Sequence, residues 1–335
     1  MCGRTACTLN PDAISRSCKY KAKDGRQVKP TWSKNQDKYY PSYNKAPQSY
    51  CPIMLNEKHL QDGEDFDLSV ADERTLVAMR WGLIPSWFSG DDVDKVSYNM
   101  NNARSDTMLE KRSYKTPLRK GQRCVVLADG FYEWKTTGKD KQPYYIYFPQ
   151  PEKQSSIIIK DCENGDGPSE ENVRLLTMAG IFEKTFHNNE DVYSFTVITV
   201  EADESFAWLH HRMPAILTGD NDIASWLDYE HVSLEKAVQL IKPKNCLQWH
   251  PVSKYVNNSR NHGTQCCEEI DLDAERKKAD GKHASEAKSL MKWLSTPNAK
   301  TQHSTSSPSK PTRSPCVKRT CGGLDRWVKK VKKDN

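Results

Sequence analysis

The sequence predicts an α+β fold. One domain over residues 2–270 carries a mixed, mainly antiparallel sheet with flanking helices, and a basic tail over residues 271–335 stays disordered. Three observations carry that expectation. Short β-branched and aromatic runs outnumber helix-like windows, and most of them lie close together in sequence, as antiparallel neighbours do. No G-x-x-x-x-G-K-[ST] or G-x-G-x-x-G loop marks a doubly wound sheet, and H-E-x-x-H is absent too. Nucleotide hydrolysis, dinucleotide chemistry and zinc proteolysis therefore lose their usual support.

In chain order, Asn10-Pro11 reads as the cap and first position of a short helix over residues 11–18. Lys19 to Lys38 is polar and lysine-rich, and reads as a surface loop. Tyr39 to Pro47 suits an extended, packed segment, because prolines and aromatics interrupt any helix there. Residues 76–84 read as a strand running into the turn Pro85-Ser86-Trp87-Phe88. Asn101 to Asp106 reads as a loop, with Ser105 capping a helix through about Arg112. Strands are expected at 123–128, 143–148, 155–160, 174–182 and 193–200, with turn-rich gaps such as Thr137-Gly138-Lys139-Asp140. Helices fit 221–229 and 233–242, capped by Asn221 and Ser233, before a last strand near Trp249 to Val256.

Composition narrows the function classes. The chain has 335 residues, enough for one large domain or two small ones, and its net charge of +6 is unevenly spread. Asp273 to Asn335 holds sixteen Lys and Arg against six Asp and Glu, a net of +10, whereas residues 1–272 hold 34 against 38, a net of −4. A folded part that is slightly acidic cannot hold nucleic acid as a generic polycation; any such binding needs a local patch. The eleven cysteines include no C-x-x-C pair and are odd in number, which reads as reduced thiols in a reducing compartment. Neither an 18-residue apolar run nor a charged-then-apolar leader is visible, so no membrane span and an intracellular protein are expected.

Chemistry concentrates at five places. Cys2 becomes the N-terminus once Met1 is removed, and an N-terminal cysteine carries an amine and a thiol on adjacent carbons. With an aldehyde the amine forms a Schiff base, and the thiol then closes a five-membered thiazolidine ring. The amine titrates near 7.7–8.0, against about 10.4 for lysine, so on the order of a tenth of it is neutral at pH 7. Many proteins begin Met-Cys without using the cysteine. Glu133, in Asp129-Gly130-Phe131-Tyr132-Glu133-Trp134, is either a proton shuttle desolvated among aromatics or a surface carboxylate paired with lysine. His210-His211-Arg212 offers an acid or base near neutral pH and a phosphate clamp, or simply packing. Asn102 and Arg104 offer contacts to a sugar and a phosphate, or ordinary loop polarity. Trp87 and Phe88 are core aromatics or a platform on which bases stack.

Seven motifs in a fixed order resemble one family. They are Met1-Cys2-Gly3-Arg4, Tyr43 to Pro47, Arg80 to Trp87, Asn102 to Ser105, Ala128 to Trp134, His210 to Pro214 and His250 to Ser253, and together they are similar to the SRAP (SOS response-associated peptidase) family over residues 2 to about 265. The resemblance implies a single domain built on a sheet or barrel, acting on abasic sites in single-stranded DNA without cofactor or metal. It implies that Cys2 forms the covalent thiazolidine, that Glu133 assists proton transfer, and that His210 assists Schiff-base formation and reversal. Asn102 would orient the sugar or Cys2. Arg4, Arg104 and Arg212 would grip phosphates, and Trp87 and Phe88 would block the duplex on one side. His211 stands where bacterial relatives tend to have Asp. The resemblance also implies a nuclear monomer at replication forks. Two alternatives use the same residues or neighbouring ones: an N-terminal-cysteine peptidase, and a noncatalytic reader of 5-hydroxymethylcytosine with Trp87, Phe88 and Tyr132 as a base pocket.

The tail from about Asp273 is rich in Ser, Thr, Pro and Lys and reads as disordered. Two Leu-x-x-Trp-aliphatic repeats interrupt it: Leu290, Trp293 and Leu294, then Leu324, Trp327 and Val328. That spacing sets the apolar residues on one helical face. The repeats resemble degenerate motifs for the PCNA sliding clamp lacking the leading glutamine, with fortuitous linker hydrophobics as the alternative. Lys318-Arg319 and Lys329-Lys330 suit nuclear import or nonspecific DNA contact.

Overall fold

Three stretches, residues 50–56, 74–81 and 123–128, are buried almost without alternation, and strands read that way only when both faces are covered. The computed structural model describes residues 3–22, 24–61, 74–90, 93, 100–150, 173–277 and 291. Contacts divide the chain into Met1–Lys278 and Ala279–Asn335, and the architecture that follows is that of the first unit. Its elements are β1 Thr5–Cys7, α1 Pro11–Ser17, β2 Tyr20–Lys21, β3 Gln27–Val28, β4 Trp32–Lys34, β5 Ser42–Lys45, β6 Tyr50–Asn56, β7 Arg74–Trp81 and β8 Asn102–Arg104. They continue with α2 Arg112–Arg119, β9 Arg123–Ala128, β10 Gly130–Thr137, β11 Asp140–Tyr147, β12 Leu176–His187, β13 Glu190–Glu201, β14 Arg212–Pro214, α3 Asp220–Leu227, α4 Leu234–Val238 and β15 Gln248–Pro251.

The barrel closes through one parallel contact. Strands β7, β6, β9, β12 and β13 pair in that order, and β13 returns to β7 at Ser194↔Arg80 and Phe195↔Trp81. The remaining barrel pairings are antiparallel. A second sheet runs β15–β11–β10–β1–β5. Between β9 and β10 the chain passes from barrel to second sheet through a single residue, Asp129. Alternation along β10 then gives the second sheet two distinct faces. Phe131, Ile146 and Cys7 face the main core, which includes Trp81, Phe182 and Phe195. Ala6, Tyr132 and Tyr145 face a smaller cluster with Val252, Val256, Cys266 and Cys267.

The mixed, mainly antiparallel sheet and barrel expected from the sequence is what the chain forms, and several local expectations change. Lys19 to Lys38 is not one loop: it holds the small β2–β3 pair and β4, which lies parallel to β7. The helix expected from Ser105 is displaced to Arg112–Arg119, because Asn102–Arg104 pairs with β13 and Ser105 N–H still donates to Thr199 O. Strands β6 and β10 fall outside the expected set, although the aromatics and threonines of β10 favour a strand; β6, which contains Pro52, is set by its pairing with β7 and β9. Gly219, not Asn221, caps α3, α4 is shorter than expected, and the last strand gives way after Pro251 to a 3-10 turn over Lys254–Asn257. Gly138, at φ +61, turns β10 into β11 as its motif predicts. The strand expected at 155–160 and the tail repeats lie outside the described residues.

Gly130 begins β10 opposite Ala6 of β1 and Tyr147 of β11. A Cβ placed there would lie 2.5 Å from the Ile146 carbonyl oxygen and 2.5 Å from the Tyr145 ring. Backbone cannot yield cheaply, so Gly130→Ala is expected to cost about 1–3 kcal/mol, read as a lower urea midpoint with an unchanged slope.

Candidate active site

A three-residue strand at a chain end has few ladder bonds with which to hold itself, and β1 is fastened by side chains instead. It pairs with β10 at Thr5↔Phe131 and Ala6↔Gly130, and with β5 at Thr5↔Lys45 and Cys7↔Ser42. Tyr132 N–H donates to Arg4 O at 2.9 Å, and Asp129 N–H donates to Ala6 O at 2.8 Å. The Asp129 carboxylate accepts the Thr8 N–H at 2.6 Å, while its other oxygen is buried with no hydrogen bond. Burial pushes the Asp129 carboxyl up to about 6, against the pull of the Thr8 hydrogen bonds. Arg4 Nη1 donates to Asn44 Oδ1 at 2.8 Å and to Val256 O at 2.9 Å, and Arg4 Nη2 reaches Asn257 O at 3.3 Å. Asn44 Nδ2 completes this clasp with Val256 O, Asn258 O and Asn261 O. Arg4 thus acts as a fastener on the small-cluster face.

The same register brings Gly3 level with Glu133, one residue from the position of Cys2, which itself lies outside the described residues. Glu133 is 5% exposed, on the face of β10 that looks toward the barrel. His210 ends a turn whose Phe206 and Leu209 are buried, with Asp203 accepting from Phe206 N–H and Ser205 Oγ. Its Nδ1 lies 2.9 Å from the Arg212 N–H and 3.1 Å from the Arg212 carbonyl oxygen, so the backbone of Arg212 holds the ring in place. Burial lowers its pKa; Glu133 pulls the other way, and the amino-terminal charge and His211 act with burial. His211 is exposed and stacks on His210 at 4.4 Å. Glu133 and His210 thus lie close enough to interact electrostatically.

A basic edge adjoins it. Arg104 and Asn102 flank the buried Ala103 on β8, and Arg104 pairs with Asp106 at 2.6 Å. Arg212 is 2% exposed; its Nη2 donates to Thr199 O at 2.5 Å and lies 3.6 Å from Asp106. Its Nε and Nη1 are buried without a hydrogen-bond partner among the described residues. Two arginines thus share one carboxylate. At the end of β7, Trp87 is 43% exposed and Phe88 packs near His187 at 5.6 Å, so Trp87 is not core. His250 has a structural role, its Nε2 donating to Cys267 O at 2.7 Å.

The SOS response associated peptidase (SRAP) family model matches residues 1–259. The chain belongs to this family. A relative from Xenopus tropicalis, named abasic site processing protein HMCES, is 46% identical over 98% of this chain and 96% of its own length. The Gallus gallus protein of the same name is 46% identical over 88% of this chain and 84% of its own. A solved structure of a Bacteroides thetaiotaomicron protein superposes with a TM-score of 0.57 at 22% identity, covering 80% of this chain and 100% of that one, and so shares the SRAP fold.

Sequence reading singled out Glu133, His210, Asn102, Arg104 and Arg212, and the fold brings Glu133 to His210 and Arg104 to Arg212 through Asp106. Asp129 and Asn44 lie inside motifs quoted above, but their role as fasteners depends on partners distant in sequence that no local pattern names. Asp129 carries a raised folded pKa, so its destabilising charge is absent below about 4 and fully present above about 6. Wild type is therefore expected to lose stability relative to Asp129→Asn, by on the order of 1–3 kcal/mol, as pH rises through that window. Paired denaturation curves at pH 4 and pH 7 check the sign.

Proposed function

We propose that this SRAP protein captures abasic sites in single-stranded DNA as a covalent adduct. Removal of Met1 exposes Cys2; its amine condenses with the aldehyde of the opened deoxyribose, releasing water and forming an imine. The thiol then adds across the C=N bond: sulfur bonds to carbon, and the thiol proton ends on nitrogen, closing the thiazolidine. An imine left open permits β-elimination and strand breakage, so ring closure protects the lesion. Glu133 relays protons during ring opening and closure, and His210 donates a proton to the departing hydroxyl and serves the reverse reaction. Arg104 and Arg212 hold flanking phosphates, Asn102 orients the sugar, and Trp87 with Phe88 stops a duplex from continuing. Arg4 positions β1.

The observation that carries this reading is the pairing of β1 with β10, which sets the residue after Cys2 level with Glu133 beside His210. The names of the relatives, abasic site processing proteins, point to the same substrate. The tail repeats around Trp293 and Trp327 are proposed to engage the sliding clamp in the nucleus, which a clamp pull-down with both tryptophans replaced would check.

Intact mass after incubation with an abasic single strand is expected to rise by the DNA mass less one water, with no rise for undamaged or hydroxymethylated strands. Cys2→Ser removes the denaturation-stable adduct, and Glu133→Gln slows its formation by roughly 10²-fold. Proteolytic fragments without an adduct would favour the peptidase reading instead.

A further inference from the structure

The face of β10 that carries Glu133 continues outward. Lys135 lies two residues on and so projects from the same side, while Tyr144 stands across from Glu133 on β11 and Trp249 across from Ile146 on β15. Onto this edge the turn before His210 lays Trp208. Its ring meets Tyr144 edge-on at 5.0 Å and Trp249 at 5.8 Å, and the Lys135 ammonium sits 4.8 Å from its centroid. The turn needs Phe206 and Leu209 for burial, but not Trp208, which remains 36% exposed. Lys135 has no carboxylate partner among the described residues. An indole braced by two aromatics, open to solvent, beside a cation without a counterion and two residues from His210, has the composition of a single-strand binding platform.

We propose that Trp208 and Lys135 form a nucleotide subsite adjoining the Glu133–His210 centre, Trp208 stacking one base next to the lesion and Lys135 meeting its phosphate. The subsite rests on the single-strand reading above and deepens it. It lies on the β10–β11–β15 edge, whereas Trp87 follows β7, so the strand has a stacking surface on either element group. Tyr144 and Trp249 hold the indole rigid, which reduces the ordering cost of stacking.

The test uses full-length protein and reversible binding, with fluorescent single strands bearing a central tetrahydrofuran residue that has no aldehyde. In companion strands one flanking base at a time is replaced by the same base-free residue. Wild type is expected to lose roughly tenfold in affinity when one particular flanking base is removed. Trp208→Ala loses about tenfold on the complete strand and nothing further on removing that base, while Trp208→Phe keeps most of the affinity. Lys135→Gln lowers the slope of log K against log salt by about 0.7. Additive effects of Trp208→Ala and base removal at every position, or Trp208→Ala binding like wild type, overturn the subsite. Intact mass with an aldehyde-bearing strand is run on the same preparations. Adduct without coupling removes the subsite alone; coupling without adduct removes the covalent reading alone; neither binding nor adduct removes both. Should Trp208→Ala fail to fold, Trp208→Phe against Trp208→Leu gives the same comparison.

Discussion

The insertion of β1 between β10 and β5 is the constraint on which the rest depends. Chain ends fray unless something ties them down, and the proposed nucleophile lies next to this strand. Backbone pairing over Thr5–Cys7 supplies only a few hydrogen bonds, each contributing a net of about 1 kcal/mol. The Asp129 carboxylate on Thr8 N–H and the Arg4 guanidinium on Asn44 and Val256 add charge-assisted bonds at both ends of the strand. Asp129 is also the only residue between β9 of the barrel and β10 of the second sheet, so a single side chain ties the amino-terminal strand to that crossing.

That fastening brings buried charge close to the site. Lys45, opposite Thr5, is buried with its Nζ 3.7 Å from the Tyr40 ring centroid and 4.9 Å from that of Tyr39, and it has no hydrogen-bond partner among the described residues. Burial lowers its pKa, and the two rings replace part of its hydration. Arg212 and Asp129 are likewise buried with polar atoms unmet. Such groups disfavour folding unless compensated, and Arg123 on β9 of the barrel is buried in the same way.

The fold class was legible because alternating and continuous apolar runs carry over directly into β9, β11, β12 and β13. The Asn10 and Ser233 caps were legible because a side-chain oxygen acts on a neighbour three residues away. What could not be read was set by distant partners: β6 becomes a strand because β7 and β9 flank it, and Ser105 fails to start a helix because Thr199 holds its N–H. The site divides in the same way. Glu133, His210 and Arg212 lie in distinctive local strings, whereas Asn44 acquires its role only from a segment more than two hundred residues on, and Trp208 shows its exposure only once Phe206 and Leu209 turn inward.

The two-faced second sheet explains how fastening and chemistry coexist. Arg4, Ala6 and Tyr132 belong to the face that closes over Val256 and Cys266, while Thr5, Phe131 and Glu133 belong to the face toward the barrel. Gly3, level with Glu133, falls on that second face. Because successive residues of a strand alternate faces, Arg4 secures the strand on the small-cluster face while its neighbour Gly3 lies on the face that carries Glu133.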